Sequence, residues 1–169
     1  MRGKSIILFL IIAFSFFAFV SCSDTAEFTH CELTLVLDDG FEAEKSEEFD
    51  LLVSNGDAVV SLTRISFEAG FESGISETYT AKGFAAFFMN KSGKSEELLM
   101  HGDVPYYTYT ESVNGSDIFY TVTFYRSLNA YFMVAYATPL ENKNEWSERF
   151  LGYAEDAYFN DAPVINANG

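Results

Sequence analysis

Three strand-like runs in the second half of the chain constrain its fold more than any other feature. They are VPYYTYTESV at 104–113, DIFYTVTFYRS at 117–127 and AYFMVAYAT at 130–138. Their aromatic and β-branched residues favour strands over helix. The links between the runs are only a few residues long, and such short links join antiparallel neighbours. The sequence therefore predicts a three-stranded antiparallel meander.

A further strand and a hairpin are indicated nearer the N-terminus. In CELTLVL at 31–37, Leu33, Leu35 and Leu37 fall on one face, which is typical of a strand with one buried side. The apolar runs FDLLVS and AVVSLTRISF are separated by NGD at 55–57, and Asn-Gly is a strong hairpin signal. We therefore expect an N-terminal strand followed by a hairpin.

Two segments predict helices. An Ala-containing stretch at 75–93 predicts the first, with Ser73 or Ser76 as its N-cap and Gly93 as its natural end. The segment at 141–159 predicts the second, because its apolar residues recur at helical spacing. That apolar stripe consists of Trp146, Phe150, Tyr153 and Ala157. The order of elements predicts an α+β domain, in which an antiparallel β-sheet is packed by two helices.

The pattern of the N-terminal segment indicates an export signal. Arg2 and Lys4 precede an uncharged run at 6–20, which is shorter than the roughly 20 apolar residues that a membrane-spanning helix needs. Its length suits the apolar region of a secretory signal. The run FVSC, which ends at Cys22, resembles the lipobox of bacterial lipoproteins, although Phe19 stands where Leu is usual.

The lipobox resemblance implies a cellular location and a division of the chain into segments. In that family, a diacylglyceryl group is attached to the cysteine sulfur and the chain is cut just before it, so Cys22 is the expected lipid-attachment residue. We therefore expect a signal peptide at 1–21, a tether at 22–30, one domain at 31–160 and a tail at 161–169. The implied location is the extracytoplasmic face of a bacterial cell membrane. A signal peptide without lipid and an uncleaved membrane anchor stay open as alternatives.

The order of the segments resembles the PsbP-like fold. The segments that carry this likeness are ELTLVLDDGFE, VSNGDAVVSLTRISF, YTAKGFAAFF, IFYTVTFYRSLNAYFMVAYAT and WSERFLGYAEDAYF. Members of that group include the photosystem II extrinsic protein, a nuclear Ran-binding relative and many bacterial lipoproteins. The likeness covers residues 31–160 and implies a binding or assembly role. It brings no catalytic motif, and neither a manganese nor a Ran-binding role transfers to this chain.

Charge and cysteine content narrow the possible partners. The chain has a net charge of −15, and residues 1–21 carry two basic and no acidic residues, so the cleaved protein would be more acidic still. Such a surface repels nucleic acids and acidic lipid headgroups, so we expect neither as a direct partner of the folded domain. If Cys22 is lipidated, Cys31 is the only thiol left, and we expect it to be a buried, inert thiol. A Cys22–Cys31 disulfide in a secreted protein is the alternative.

No constellation of residues indicates catalysis or a metal site. The chain contains two histidines, His30 and His101, and no GxSxG motif, and the carboxylate nearest to His101 in sequence is Asp103. Zinc would need several closely spaced Cys or His residues. The acidic stretch at 38–48 lacks the ordered spacing of a calcium loop and reads as a solvated surface. We expect no catalytic residue, no metal and no cofactor.

Aromatic residues offer the remaining site hypothesis. An exposed row containing Tyr107 and Tyr109 could stack on sugars or grip a peptide. The alternative, which is the more common arrangement, is that these tyrosines pack under helices or line the sheet. We therefore expect a monomeric, non-enzymatic extracytoplasmic lipoprotein that binds or assembles a protein or cell-wall partner of unknown identity. The alternative is a tyrosine-lined carbohydrate- or peptide-binding module of the cell surface. A wall-acting hydrolase with two facing carboxylates is a weaker alternative.

Overall fold

The computed structural model describes residues 25–160. Cys22, the expected signal peptide at 1–21 and the expected tail at 161–169 lie outside these residues. The strands are β1 (Thr25–His30), β2 (Leu33–Asp38), β3 (Glu42–Glu44), β4 (Leu51–Ser54), β5 (Val59–Ser66), β6 (Leu99–His101), β7 (Val104–Val113), β8 (Ser116–Arg126), β9 (Ala130–Pro139) and β10 (Tyr158–Phe159). The helices are α1 (Phe67–Glu72), α2 (Ala81–Ser92) and α3 (Lys143–Asp156). None of these helices is long and apolar enough to cross a membrane.

A seven-stranded antiparallel sheet forms the centre of the domain. Its strand order is β3-β4-β5-β9-β8-β7-β6, and β7, β8 and β9 form the predicted meander. Asn114 and Gly115 join β7 to β8 with φ angles of 52° and 86°, the left-handed region that a tight hairpin turn requires. The predicted hairpin at 55–57 is also confirmed, because Asn55 Oδ1 accepts hydrogen bonds from the amides of Asp57 and Ala58.

A second, three-stranded sheet has the order β1-β2-β10. The tether predicted at 22–30 is therefore wrong for Thr25–His30, which pair residue by residue with β2, from Thr25 opposite Asp38 to His30 opposite Leu33. The exposed side of this edge strand is polar, so the sequence of the strand resembles that of a linker. The prediction of a buried thiol is also wrong: Cys31 is exposed in the β1–β2 turn, with a φ of 51°.

The helices differ from their predicted boundaries where a nearer capping residue competes. The first predicted helix begins at Ala81, because Thr80 Oγ1 accepts a 3.1 Å hydrogen bond from the Gly83 amide and so replaces Ser73 and Ser76 as N-cap. It ends at Gly93 as predicted. The segment before it also contains a short helix, α1, that the sequence did not indicate.

The helices cover opposite faces of the large sheet. On one face, the α3 stripe of Trp146, Phe150 and Tyr153 is buried together with the leucines of β2. On the other face, α2 packs through Phe84, whose ring stacks on Tyr131 at 4.4 Å. The fold is therefore α+β with antiparallel sheets, as predicted, although the N-terminal strand belongs to a separate sheet.

Candidate functional site

An open groove with a volume of about 550 Å³ lies where the two sheets and the start of α2 meet. Its wall comes from the segment before α2, from the β6–β7 turn and from the ends of β8 and β10. The lining residues are Thr78, Tyr79, Thr80, Ala81, Asp103, Val104, Phe124, Tyr125, Arg126 and Phe159. An apolar floor with a polar rim suits the binding of a ligand with both apolar and polar groups.

Two charged side chains, Arg126 and Asp103, lie on the rim of the groove. Arg126 Nη2 donates a 3.1 Å hydrogen bond to the carbonyl oxygen of Glu77, and its guanidinium carbon is 5.3 Å from the centre of the Phe67 ring. Within residues 25–160, no carboxylate forms an ion pair with Arg126. The guanidinium is thus held in place by neutral groups and can still bind a carboxylate from a partner.

A hydrogen bond ties the floor of the groove to α3. Tyr125 Oη donates a 3.0 Å hydrogen bond to the Ala154 carbonyl of α3, and burial raises the pKa of Tyr125 to about 12. That tyrosine is therefore neutral and structural at physiological pH. Its neighbour Phe124, which also lines the groove, packs edge-on against Phe84 of α2 at 5.6 Å. These contacts tie the residues that line the groove to α3 and α2.

An ion pair with a tyrosine fixes α3 against the small sheet. Arg149 Nη2 contacts Asp38 Oδ2, and Tyr153 Oη donates to the same oxygen at 2.5 Å. Burial by itself raises the pKa of Asp38, but the hydrogen bonds from Tyr153 and Arg149 outweigh it and lower that pKa. The network joins β2 to α3 and is structural.

A second network ties the β1–β2 turn to the large sheet. Arg64 Nε lies 3.2 Å from Glu32 Oε2, and Ser127 Oγ donates to Glu32 Oε1 at 2.8 Å. Burial raises the pKa of Glu32, whereas the hydrogen bonds from Arg64 and Ser127 lower it, and the net result is a lowered pKa. The β1–β2 turn, the end of β5 and the β8–β9 hairpin therefore lie together at one end of the domain.

The tyrosine pair predicted as an exposed row is not exposed as a row. Tyr107 is only 2% exposed, because α2 packs on its face of the sheet, and its ring lies 6.0 Å from that of Phe124. Tyr109 is half-buried, stacks on Tyr120 at 4.6 Å and lies beneath Lys94 Nζ at 3.7 Å. Neither tyrosine lines the groove. The structure gives Tyr107 no ring face with which to bind a sugar.

The partner of His101 in the fold differs from the carboxylate that lies close to it in the sequence. His101 Nε2 lies 3.3 Å from Glu155 Oε2, at the end of α3, rather than against Asp103. Within the described residues, no hydrogen bond joins His101 to a hydroxyl or a thiol, and no group of three or more His, Cys, Asp or Glu residues is placed to hold a metal ion. His101 links the sheet edge to α3.

The sequence did not indicate the groove residues. Arg126 ends an apolar strand, and that position alone looks like ordinary solvent exposure. Its partner Glu77 lies 49 residues away in the chain. The residues that form the rim come together only through the packing of α2 and β10 on the sheets.

Comparison with known proteins supports the fold by structure alone. No family profile matches the chain, and no characterised protein matches it by sequence. Among solved structures, a protein from Bacteroides thetaiotaomicron superimposes with a TM-score of 0.58 and 10% identity over 80% of this chain, which spans about half (48%) of that protein.

Two further structures match over nearly their whole length. The Saccharomyces cerevisiae Ran-binding protein Mog1p has a TM-score of 0.53 and 8% identity, with 83% of this chain and 97% of that protein covered. Cyanobacterial PsbP from Synechocystis has a TM-score of 0.50 and 9% identity, with 86% and 98% covered. At these identities the likeness concerns the fold. The chain therefore has the PsbP-like α+β fold that it shares with Mog1p and cyanobacterial PsbP.

Proposed function

We propose that the protein is a non-enzymatic binding or assembly module, anchored through a lipid on Cys22 to the extracytoplasmic face of a bacterial membrane. The FVSC run and the apolar segment before it support the anchor. The shared fold supports the binding role, since Mog1p is a Ran-binding protein. Fold alone does not define a ligand, so the partner must be inferred from the surface of this chain.

The groove beside α2 is the proposed binding site and the observation that carries the binding role. Its apolar floor offers burial to a side chain of a partner, while Arg126 and Asp103 on the rim offer one charge of each sign. A peptide segment with an apolar residue next to a carboxylate would satisfy both features. The domain would act as a monomer in this interaction.

The proposed anchor would hold the domain very close to the bilayer. Only Ser23 and Asp24 separate Cys22 from Thr25, where β1 begins. Three residue steps span at most about 11 Å, at roughly 3.3–3.6 Å per residue. The end of the domain that contains Thr25 and its partner Asp38 would therefore face the membrane.

Membrane fractionation of the full-length protein tests the anchor, with the two cysteines as matched variants. We expect wild type and Cys31→Ser to sediment with membranes and to enter the detergent phase. We expect Cys22→Ser to lose this lipid-dependent partitioning, because a serine has no sulfur to carry the diacylglyceryl group. Equal partitioning of all three proteins would contradict lipid attachment at Cys22.

The groove is tested separately from the anchor. Arg126→Glu reverses the free cation on the rim, and Glu148→Gln changes an exposed side chain on α3 away from the groove. We expect Arg126→Glu to reduce the recovery of proteins crosslinked to the lipidated domain in native membranes, with Glu148→Gln as the unchanged control. Identical crosslinked products from both variants would exclude the groove as the binding site.

A further inference from the structure

We infer that α1 is a protein-binding surface and that Phe71 inserts into an apolar pocket on a protein partner. Lys or Arg residues border that pocket, and the partner lies away from the membrane. This surface adjoins the groove beside α2, because the groove-rim residue Arg126 lies over the ring of Phe67 at the start of α1. The direction in which it faces rests on the proposed anchor at Cys22, whereas the chemistry of the contact rests on α1 alone.

Phe71 is the most exposed large apolar side chain in the described part of the chain, at 81%, and Leu128 follows at 63%. They occupy the same end of the domain, because the Phe67 amide at the start of α1 donates a 3.0 Å hydrogen bond to the carbonyl of Asn129, next to Leu128. Aromatic side chains that lie free on a surface and become buried in a complex often dominate the binding free energy.

The backbone that carries Phe71 is firmly held. Ser66 Oγ accepts a 3.2 Å hydrogen bond from the Ala69 amide and caps the helix, and the Ile75 amide donates to the Gly70 carbonyl at 2.8 Å. Gly70 is buried so closely that an added Cβ would lie 3.4 Å from the Cβ of Ile75. Phe71 is thus exposed on a fixed helix rather than on a loose one, and such preorganisation lowers the entropic cost of binding.

The charges around Phe71 select the kind of partner. Glu68 and Glu72 flank it on α1, and both are exposed, while Arg126 lies over the Phe67 ring at the start of the helix. A pocket bordered by lysine or arginine complements this rim. A second copy of this acidic chain or an anionic lipid surface would instead bring like charges together.

The path of β1 places α1 far from the proposed anchor. Strand β1 runs for six residues from Thr25, the residue nearest the anchor, to His30, which corresponds to about 17 Å at roughly 3.3 Å per step. The next turn meets the far end of the large sheet, because Glu32 accepts the hydrogen bond from Ser127, the neighbour of Leu128. The exposed Phe71 therefore belongs to the end opposite the membrane attachment.

Site-specific photocrosslinking tests this contact in the full-length protein in its native membranes. We replace Phe71 with p-benzoylphenylalanine and use the same replacement at Leu140, an exposed apolar residue that follows β9 at the other end of the domain. We expect a discrete protein adduct from position 71 that position 140 does not give. Combining the probe with Glu68→Lys and Glu72→Lys should reduce that adduct about tenfold, because the complementary charges become repulsive.

Other results would overturn the inference. A phospholipid adduct at position 71 would show that Phe71 enters the bilayer, and an adduct of twice the chain mass would show self-association. The absence of an adduct, or an adduct indifferent to both charge reversals, would contradict a basic-rimmed pocket. If Cys22 carries no lipid, the proposed anchoring fails by itself, while the crosslink at position 71 still decides whether α1 docks a protein.

Discussion

Tyr153 donates a 2.5 Å hydrogen bond to Asp38 and so joins α3 to the strand that pairs with the start of β1. Arg149 contacts the same carboxylate oxygen. The pKa of Asp38 is lowered in the folded state, so this carboxylate contributes stability above its unfolded pKa and loses that contribution as the pH falls. The ordinary value for aspartate is about 3.9, which places the loss near pH 4 and below.

The Asp38→Asn variant tests this linkage. We expect it to unfold at lower denaturant concentration than wild type at pH 7, and we expect the difference to shrink as the pH falls below about 4, where wild type also loses the charge. Glu148→Gln, on the exposed face of α3, is the control. Urea unfolding curves across pH 3–7 measure the effect, and a difference that grows on acidification would contradict the role of Asp38.

The α3 core should be far more sensitive to truncation than the α1 surface. Phe150 is fully buried and stacks on Tyr136 at 5.3 Å, whereas Phe71 is largely exposed. Phe150→Ala should lower the free energy of unfolding by about 3–5 kcal/mol. The chemically identical Phe71→Ala should change it by less than about 0.5 kcal/mol. Chemical denaturation of both variants makes the comparison, and similar losses would contradict the assigned packing of α3.

The hydroxyl of Tyr125 should stabilise the contact between the sheet and α3. Tyr125→Phe removes the donor to the buried Ala154 carbonyl and should cost about 1–2 kcal/mol of unfolding free energy. Tyr158→Phe removes a hydroxyl from a partly exposed strand and serves as the matched control. Thermal and urea unfolding measure the free energy of unfolding of both variants. Equal values would contradict the prediction and would mean that the Tyr125 hydroxyl bonds to water instead of to Ala154.

Cys31 should react in the folded protein. Its place in the exposed β1–β2 turn predicts rapid alkylation by iodoacetamide without denaturant. Cys31→Ser should abolish that labelling in protein whose Cys22 sulfur is already bonded to lipid. Peptide mapping locates the label. Labelling of Cys31 only after unfolding would contradict the exposed position and would support the buried thiol that the sequence indicated.

Local patterns were sufficient to predict the meander, the early hairpin and the two longer helices. The meander depends on aromatic and β-branched strands with very short links, and the hairpin depends on Asn55 and Gly56, whose preferences act over a few residues. Strand β1 was missed because its alternation is mostly polar and its pairing with β2 is what orders it. The exposed position of Cys31 follows from the same pairing.

The candidate sites depend on contacts between distant segments, which explains why the sequence alone left the exposure of Tyr107 and Tyr109 open. Alternation placed Tyr107 and Tyr109 on one face of a strand, but only the packing of α2 decides that this face is buried. Arg126 reached the groove rim through its contact with the Glu77 carbonyl. A charged residue at the end of an apolar strand looks like ordinary solvent exposure, so the sequence around Arg126 gave no signal of the groove.

Intact mass spectrometry of the protein extracted from membranes tests the proposed anchor most directly. Lipid attachment predicts a chain that begins at Cys22, carries a diacylglyceryl thioether on that sulfur and lacks residues 1–21. A chain that retains residues 1–21, with a free thiol at position 22 and recovery in the soluble fraction, would contradict membrane anchoring and the orientation that follows from it.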